Sequence, residues 1–204
     1  MIAVIDYGVG NLFSLSASLK YIGAESAVTS DRSVIENSSA IILPGVGAFA
    51  DAYKKLEESG LIPVLLKQVG RGKPVLGICL GMQLLFEKSY EYGEHAGLGL
   101  IPGEVCPIAP DLKEQLKVPH MGWNSLCFKR PSPLYKYLSD GEYVYFVHSY
   151  YAKNCSDYTT ASCLYGGAEL TASAGRGNVF GTQFHPEKSG AAGLKILRAF
   201  SEIK

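Results

Sequence analysis

Pro74-Val75-Leu76-Gly77-Ile78-Cys79-Leu80-Gly81-Met82-Gln83 runs from one short apolar stretch through G-x-C-x-G into another. This is the pattern of a buried strand turning sharply into a helix with a thiol at the corner, the cysteine counterpart of the G-x-S-x-G nucleophile elbow. Glycine is required at 77 and 81 because side chains there would collide across so tight a turn. The turn is expected to place the sulfur at the carboxyl edge of a sheet and at a helix N-terminus. Most free cysteines are simply small buried residues. Two flanking glycines at a strand-to-helix corner tip the balance toward a nucleophile. An isolated thiol is only a few per cent thiolate at neutral pH, and a helix N-terminus contributes at most ~2 kcal/mol toward ionising it. A histidine partner is therefore expected.

Four histidines are available, at 95, 120, 148 and 185. His185 ends an apolar run in Gly181-Thr182-Gln183-Phe184-His185-Pro186-Glu187. In extended backbone, residues 185 and 187 project to the same side. Glu187 is thus expected to meet the imidazole, fix its tautomer and stabilise the imidazolium formed when Cys79 gives up its proton. Pro186 is expected to stop the strand and hold the pair extended. His95 lies in a turn-rich segment and reads as solvated. His120 and His148, each beside aromatic and polar residues, read as pocket walls or interface positions.

Working outward, strands are expected over residues 2–5, 24–29, 40–43 and 74–78, alternating with helices over 12–22, 48–58, 61–69 and 82–88. This alternation predicts an α/β fold of three layers, a mostly parallel central sheet flanked by helices. Beyond it, strands over 105–108, 125–128, 142–148, 159–164, 169–173 and 178–184 are joined by short polar or glycine turns. They predict an antiparallel extension of the same sheet. A final helix over 189–203 carries Leu194, Leu197 and Phe200 on one stripe. With no linker, repeat or low-complexity segment, residues 1–204 read as a single domain.

Two glycine loops follow strands. Leu43-Pro44-Gly45-Val46-Gly47-Ala48-Phe49 can bring backbone amides close to a reacting carbonyl. With the amide of Leu80 it is a candidate oxyanion hole, in which one donor is typically worth ~2.7–4 kcal/mol in the transition state. A tight strand–helix turn is an equally good reading of it. Asp6-Tyr7-Gly8-Val9-Gly10-Asn11 begins like a dinucleotide fingerprint, but Phe13 occupies the third glycine position, and a dinucleotide cofactor is rejected.

Composition narrows the classes. Of 204 residues 47% are hydrophobic and 19% charged, ordinary for a compact globular protein. Nineteen basic residues balance nineteen acidic ones, so no net field draws nucleic acid or an acidic membrane. No run approaches the ~20 apolar residues of a membrane helix, and the N-terminus lacks the basic region of a signal peptide. Five scattered cysteines without a C-x-x-C pair argue against a disulfide framework or a zinc site. A cytoplasmic setting, with no metal or cofactor, is expected.

With these residues assembled, the chain resembles the class I (triad) glutamine amidotransferases. The general class is carried by Gly77-Ile78-Cys79-Leu80-Gly81-Met82-Gln83 and His185-Pro186-Glu187. Asp6-Tyr7-Gly8-Val9-Gly10-Asn11-Leu12, Pro44-Gly45-Val46-Gly47-Ala48-Phe49, Pro119-His120-Met121-Gly122-Trp123-Asn124 and His148-Ser149-Tyr150 are similar to the glutaminases of imidazole glycerol phosphate synthesis. The resemblance runs from residue 1 to about 190 and is weakest over 129–141 and 153–177. It implies hydrolysis of glutamine to glutamate and ammonia through a Cys79 thioester, with Gly47, Gln83, Glu91, Ser149 and Tyr150 holding the substrate and Glu91 matching its α-ammonium. It also implies a partner. Because ammonia released into water would be protonated, it should pass directly to a cyclase making imidazole glycerol phosphate and aminoimidazole carboxamide ribonucleotide in histidine biosynthesis. The 204 residues leave no length for a (β/α)₈ barrel of ~250, so a separate cyclase subunit in a heterodimer is expected. Asn11, Trp123 and Asn124 are the expected contact surface, since Trp is favoured at interface centres. A glutaminase serving another synthase, a thiol hydrolase or peptidase of similar fold, and a silent binding subunit are the competing readings.

Overall fold

A computed structural model describes residues 1–204. The chain begins as β1 (Ile2–Ile5), α1 (Leu12–Tyr21), β2 (Ser26–Thr29), α2 (Arg32–Asn37), β3 (Ala40–Leu43), α3 (Phe49–Glu58), α4 (Ile62–Gly70), β4 (Val75–Ile78) and α5 (Leu80–Leu84). It continues through β5 (Phe86–Ser89), β6 (His95–Ala96), β7 (Ile101–Pro107), β8 (His120–Ser125), β9 (Cys127–Phe128), β10 (Tyr143–His148) and β11 (Tyr150–Lys153). It closes with β12 (Thr159–Tyr165), β13 (Ala168–Arg176), β14 (Val179–Thr182) and α6 (Gly190–Ser201).

The central sheet has the order β2-β1-β3-β4-β14-β13-β12-β9. Its first five strands are parallel. β1, β3, β4 and β14 read IAVI, AIIL, VLGI and VFGT and are buried at every position, as parallel strands covered on both faces must be. The period-two alternation divides their side chains between two cores. Val4, Ile42, Leu76 and Ile78 pack with Leu15 and Leu19 of α1 and Ile196, Leu197 and Phe200 of α6. Ala3, Ile5, Ile41, Leu43 and Val75 pack with Phe49 and Leu56 of α3 and Leu65 of α4. The three-layer expectation holds, and no helix is long and apolar enough to cross a membrane.

Three expectations are corrected. Residues 82–88 are not one helix: α5 ends at Leu84 and Phe86 opens β5. Leu84-Leu85-Phe86 is an apolar run that serves either element, and pairing with β7 decides it. The antiparallel strands do not all extend the central sheet. Only β13, β12 and β9 do so, while β8 with β10, and β11-β7-β5-β6, form two separate sheets. Third, His95 lies in β6 opposite Ser89 and is only half-exposed.

Three strands end where the chemistry is expected, and glycine lets them close in. A Cβ on Gly77 would sit 2.6 Å from the Gly81 carbonyl oxygen, one on Gly45 would sit 2.7 Å from the Gly81 amide, and one on Gly81 would overlap the Leu43 carbonyl. These obstacles are backbone and cannot swing aside. Gly81→Ala is therefore expected to destabilise the protein by about 3 kcal/mol or more, the upper range for overpacking, read as a lowered denaturation midpoint. A midpoint within error of the parent would remove the steric argument for G-x-C-x-G.

Candidate active site

Cys79 stands between β4 and α5 with φ 54 and ψ −111. Non-glycine residues rarely adopt a positive φ, and such strain persists where surrounding structure over-determines it. Here the Cys79 amide donates to the Thr182 carbonyl at 2.7 Å, and the three glycine contacts hold the turn from the other side. β4 and β14 are in register, with Gly77 opposite Gly181 and Ile78 opposite Thr182. That register carries Cys79 alongside Gln183 and brings His185 to the same strand edge.

His185 is held through its backbone. Its amide donates to the Tyr145 carbonyl at 3.0 Å, the Ser189 hydroxyl donates to its carbonyl at 2.6 Å, and the Tyr145 amide donates to Ser189 Oγ at 2.9 Å. Its Nδ1 lies 2.8 Å from Glu187 Oε1, both side chains being about 3% exposed. The sequence-based geometry needs correction, because the strand ends at Thr182 and residues 186–188 form a 3-10 turn. Pro186 starts this turn instead of holding an extended segment, and the turn delivers Glu187 to the imidazole. Burial acts to lower the His185 pKa, but hydrogen bonds to Cys79 and Glu187 outweigh it and raise the pKa to about 9. Imidazolium beside sulfur is the charge state a nucleophilic thiolate requires. Glu187 Oε2 is buried without a hydrogen-bond donor, so the imidazolium is the partner that compensates its charge.

Cys79 and His185 open into a cavity of about 320 Å³ lined also by Val46, Gly47, Leu80, Gln83, Glu91, Ser149 and Tyr150. All the expected substrate-side residues except Gly45 thus meet at one place. Gly45 lies behind the wall, against Leu80 and Gly81. The amides of Val46 and Gly47 make no backbone hydrogen bond, and Gly47, at φ +95, holds a conformation that favours glycine. Leu80 supplies the first amide of α5, which has no preceding turn to bond. Glu91 Oε2 accepts from the Phe49 amide at 2.6 Å, fastening the cavity wall to the start of α3. The Tyr7 hydroxyl donates to the Pro44 carbonyl at 2.7 Å, so the loop after β1 buttresses the loop after β3. These loops follow the adjacent strands β1 and β3, between which the strand order reverses, the place where open α/β sheets form their crevice.

Lys188, Pro119, Val147 and His148 also line the cavity, and sequence reasoning gave only His148 such a place. Lys188 follows His185-Pro186-Glu187 directly, which was the available signal. His120 stands behind His148 at 3.0 Å, stacked on Phe146 and Tyr165. Burial lowers His120 to about 4 and His148 to about 3, so both are neutral. A larger groove of about 470 Å³ lies elsewhere. Its cations Lys129, Arg130 and Lys153 are already paired with Glu169, Asp157 and Asp111, and no nucleophile–base set faces it.

The expected contact residues separate. Trp123 is 55% and Met121 61% exposed on one face of β8, and the Trp123 ring lies beside Gly190 and edge-on to Tyr145. Asn124 faces the other way, its amide nitrogen donating to the Leu164 carbonyl at 2.8 Å and lying 3.3 Å from His120 Nε2. Asn11 caps α1 through Ser14 and borders a crevice shared with His185 and Glu187.

The family model described as glutamine amidotransferase class-I matches residues 3–202. Imidazole glycerol phosphate synthase subunit HisH of Bacillus cereus is 52% identical over 203 residues, spanning 100% of this chain and 95% of the relative. The protein of the same name from Caldanaerobacter subterraneus is 50% identical over 204 residues, spanning 100% and 98%. In three dimensions, a crystal structure described as glutamine amidotransferase superposes with TM-score 0.75 at 20% identity, over 98% of this chain and 97% of that one. PurLQS from Thermotoga maritima gives 0.74 at 22%, over 98% and 96%. At such identities those two likenesses speak for the fold, whereas the family match and the full-length relatives establish that this chain belongs to the class-I glutamine amidotransferases.

Proposed function

We propose that this chain is the glutaminase subunit of an imidazole glycerol phosphate synthase. The observation that carries the reading is Cys79, at a positive-φ elbow, meeting the His185–Glu187 pair inside a cavity. The synthase assignment is supported by relatives of matching length that bear the subunit's name.

The Cys79 thiolate attacks the glutamine carboxamide carbon, forming a C–S bond and an oxyanion. The amides of Gly47, Val46 and Leu80 are the donors for that oxygen, worth ~2.7–4 kcal/mol each where such donors are preorganised. His185, charged through neutral pH by its two partners, gives its proton to the departing nitrogen, and ammonia leaves. The now neutral imidazole takes a proton from water, whose oxygen attacks the thioester. The C–S bond breaks, its electron pair returns to sulfur and glutamate departs. Glu91 answers the substrate's α-ammonium. The Gln83 nitrogen is already engaged by Tyr150 O and Gln183, so Gln83 offers its oxygen to the substrate, beside Ser149 and Tyr150. The residues of one domain, 1–204, carry this whole half-reaction.

Ammonia then passes to a separate (β/α)₈ cyclase subunit in a cytoplasmic heterodimer. Trp123 and Met121 are the exposed apolar anchors for it, with Asn11 at the rim near Glu187. Glutamine hydrolysis is expected to rise strongly when the cyclase and its nucleotide ligand are added, since an unregulated subunit would waste glutamine. Equal rates with and without them would sink the partner assignment. Trp123→Ala is expected to weaken the complex by about 30-fold, as for a central Trp anchor. Unchanged affinity and stimulation would move the interface elsewhere.

A further inference from the structure

Gln183 is absent from the mechanism above, yet its side chain is fully buried with its nitrogen 3.8 Å from Cys79 Sγ. An amide's oxygen and nitrogen are told apart by their partners, and here a chain of partners decides. The Tyr150 carbonyl can only accept. It receives His148 Nδ1 at 2.8 Å and the Gln83 nitrogen at 3.0 Å. His148 therefore carries its proton on Nδ1, and its Nε2 accepts from His120 Nδ1 at 3.0 Å. The Gln83 nitrogen also donates to Gln183 Oε1 at 3.0 Å. With its oxygen committed to Gln83, Gln183 has only N–H left to present to the sulfur.

The sulfur also meets a carbonyl. Val147 O lies 4.0 Å away and can accept a hydrogen bond from a thiol but repels a thiolate. The Gln183 N–H acts in the contrary sense, as hydrogen bonds to an ionised partner are stronger than neutral ones. From this arrangement we infer that Gln183 is a further catalytic residue, a neutral donor that stabilises the Cys79 thiolate and receives it back when the thioester breaks. Gln83 and His148 are positioning residues that aim it. The inference rests on Cys79 being the glutamine-cleaving nucleophile.

The test uses Gln183→Glu and Gln183→Met in the full chain. Glutamate keeps the shape and the acceptor for Gln83 but turns an oxygen toward the sulfur, while methionine keeps the volume and offers neither group. Alkylation of Cys79 by iodoacetamide at neutral pH, followed on its own peptide, should slow by about 10- to 100-fold in both, the range for losing a hydrogen bond to a charged group. kcat should fall in parallel, with KM for glutamine changing by less than about threefold. Wild-type alkylation rates in a folded Gln183→Glu would reduce Gln183 to a support for Gln83 and overturn the inference. Slowed alkylation in a protein whose parent hydrolyses no glutamine would keep the donor and discard the proposed function. Should both variants fail to fold, the ¹⁵N-labelled parent decides. Its Gln183 side-chain amide resonances should move on alkylation of Cys79 well beyond those of the equally buried Gln68, and equal movement would overturn the donor role.

Discussion

Cys79→Ala is expected to abolish glutamine hydrolysis, by about 10⁴-fold or more, because the groups of a nucleophile–base set act as a unit and removing the nucleophile costs nearly what removing all of them does. The fold should survive. The thiol is 8% exposed, and besides His185 its sulfur meets only Val147 O and the Gln183 amide, at 4.0 and 3.8 Å, so little packing goes with it. The backbone supplies a sharper version of the same experiment. At φ 54 and ψ −111 any side chain is strained, by about 1–3 kcal/mol for conformations of this kind, and alanine keeps that strain. Cys79→Gly relieves it. Glycine also adds unfolded-state entropy of about 0.4–1 kcal/mol, so the net gain is smaller than the strain but retains its sign. The glycine variant should therefore be as inactive as the alanine variant and melt higher than it. Turnover above about 1% in either would remove Cys79 as the nucleophile, since only the residual catalysis of binding and oxyanion donors should persist. A glycine variant melting below the alanine variant would show that the elbow stores no strain. Diazo-oxo-norleucine should label the parent at Cys79 and leave both variants unlabelled.

The parts of this site that could be read in the sequence are those whose chemistry is encoded locally. G-x-C-x-G declares a turn because glycine is needed two residues to either side of the thiol, and His185 with Glu187 lie two residues apart. The parallel strands were legible because burial on both faces leaves unbroken apolar runs such as IAVI and AIIL. Elements whose pattern serves two structures or none were missed. α2 is six residues of mostly polar sequence, too short for a helical stripe, although Asp31 bonding the Ser33 amide is an ordinary cap signal. β8 reads HMGWNS and contains a glycine at φ +134, so neither composition nor alternation marks it as a strand. Pairing with β10, which sets His120 opposite His148, makes it one. The same limit hid Gln183. Its neighbour is Cys79, 104 positions away, brought there by the register of β14 on β4, and no local pattern carries a register between strands so distant. Tyr7 and Pro44 met for the same reason, since β1 and β3 are neighbours.

Glu187→Gln is the second large effect, and its sign with pH separates it from simple damage. A glutamine oxygen can still accept from His185 Nδ1, but the charge that stabilises the imidazolium is gone. Replacing the orienting carboxylate in such sets costs up to about 10⁴-fold in kcat, and about 10²–10⁴ is expected here, with a smaller change in KM. Stability follows from the imidazole. Its pKa is raised from 6.5 to about 9 in the folded protein, burial opposing the shift and the bonds to Cys79 and Glu187 producing it. A raised folded pKa means that the native state holds the proton more tightly than the unfolded chain does. The resulting stabilisation is fully present below pH 6.5 and is lost as pH rises through about 9. The carboxylate supplies part of it, so the parent should exceed Glu187→Gln in stability most at pH 6 and least above pH 9. Past that point the sign should reverse. A neutral imidazole no longer compensates a carboxylate whose second oxygen is buried without a donor, and an uncompensated buried charge is destabilising. Denaturation midpoints of the two proteins at pH 6, 8 and 10 decide the matter: a gap that stays constant across the series would mean that Glu187 orients the ring without contributing to its charge.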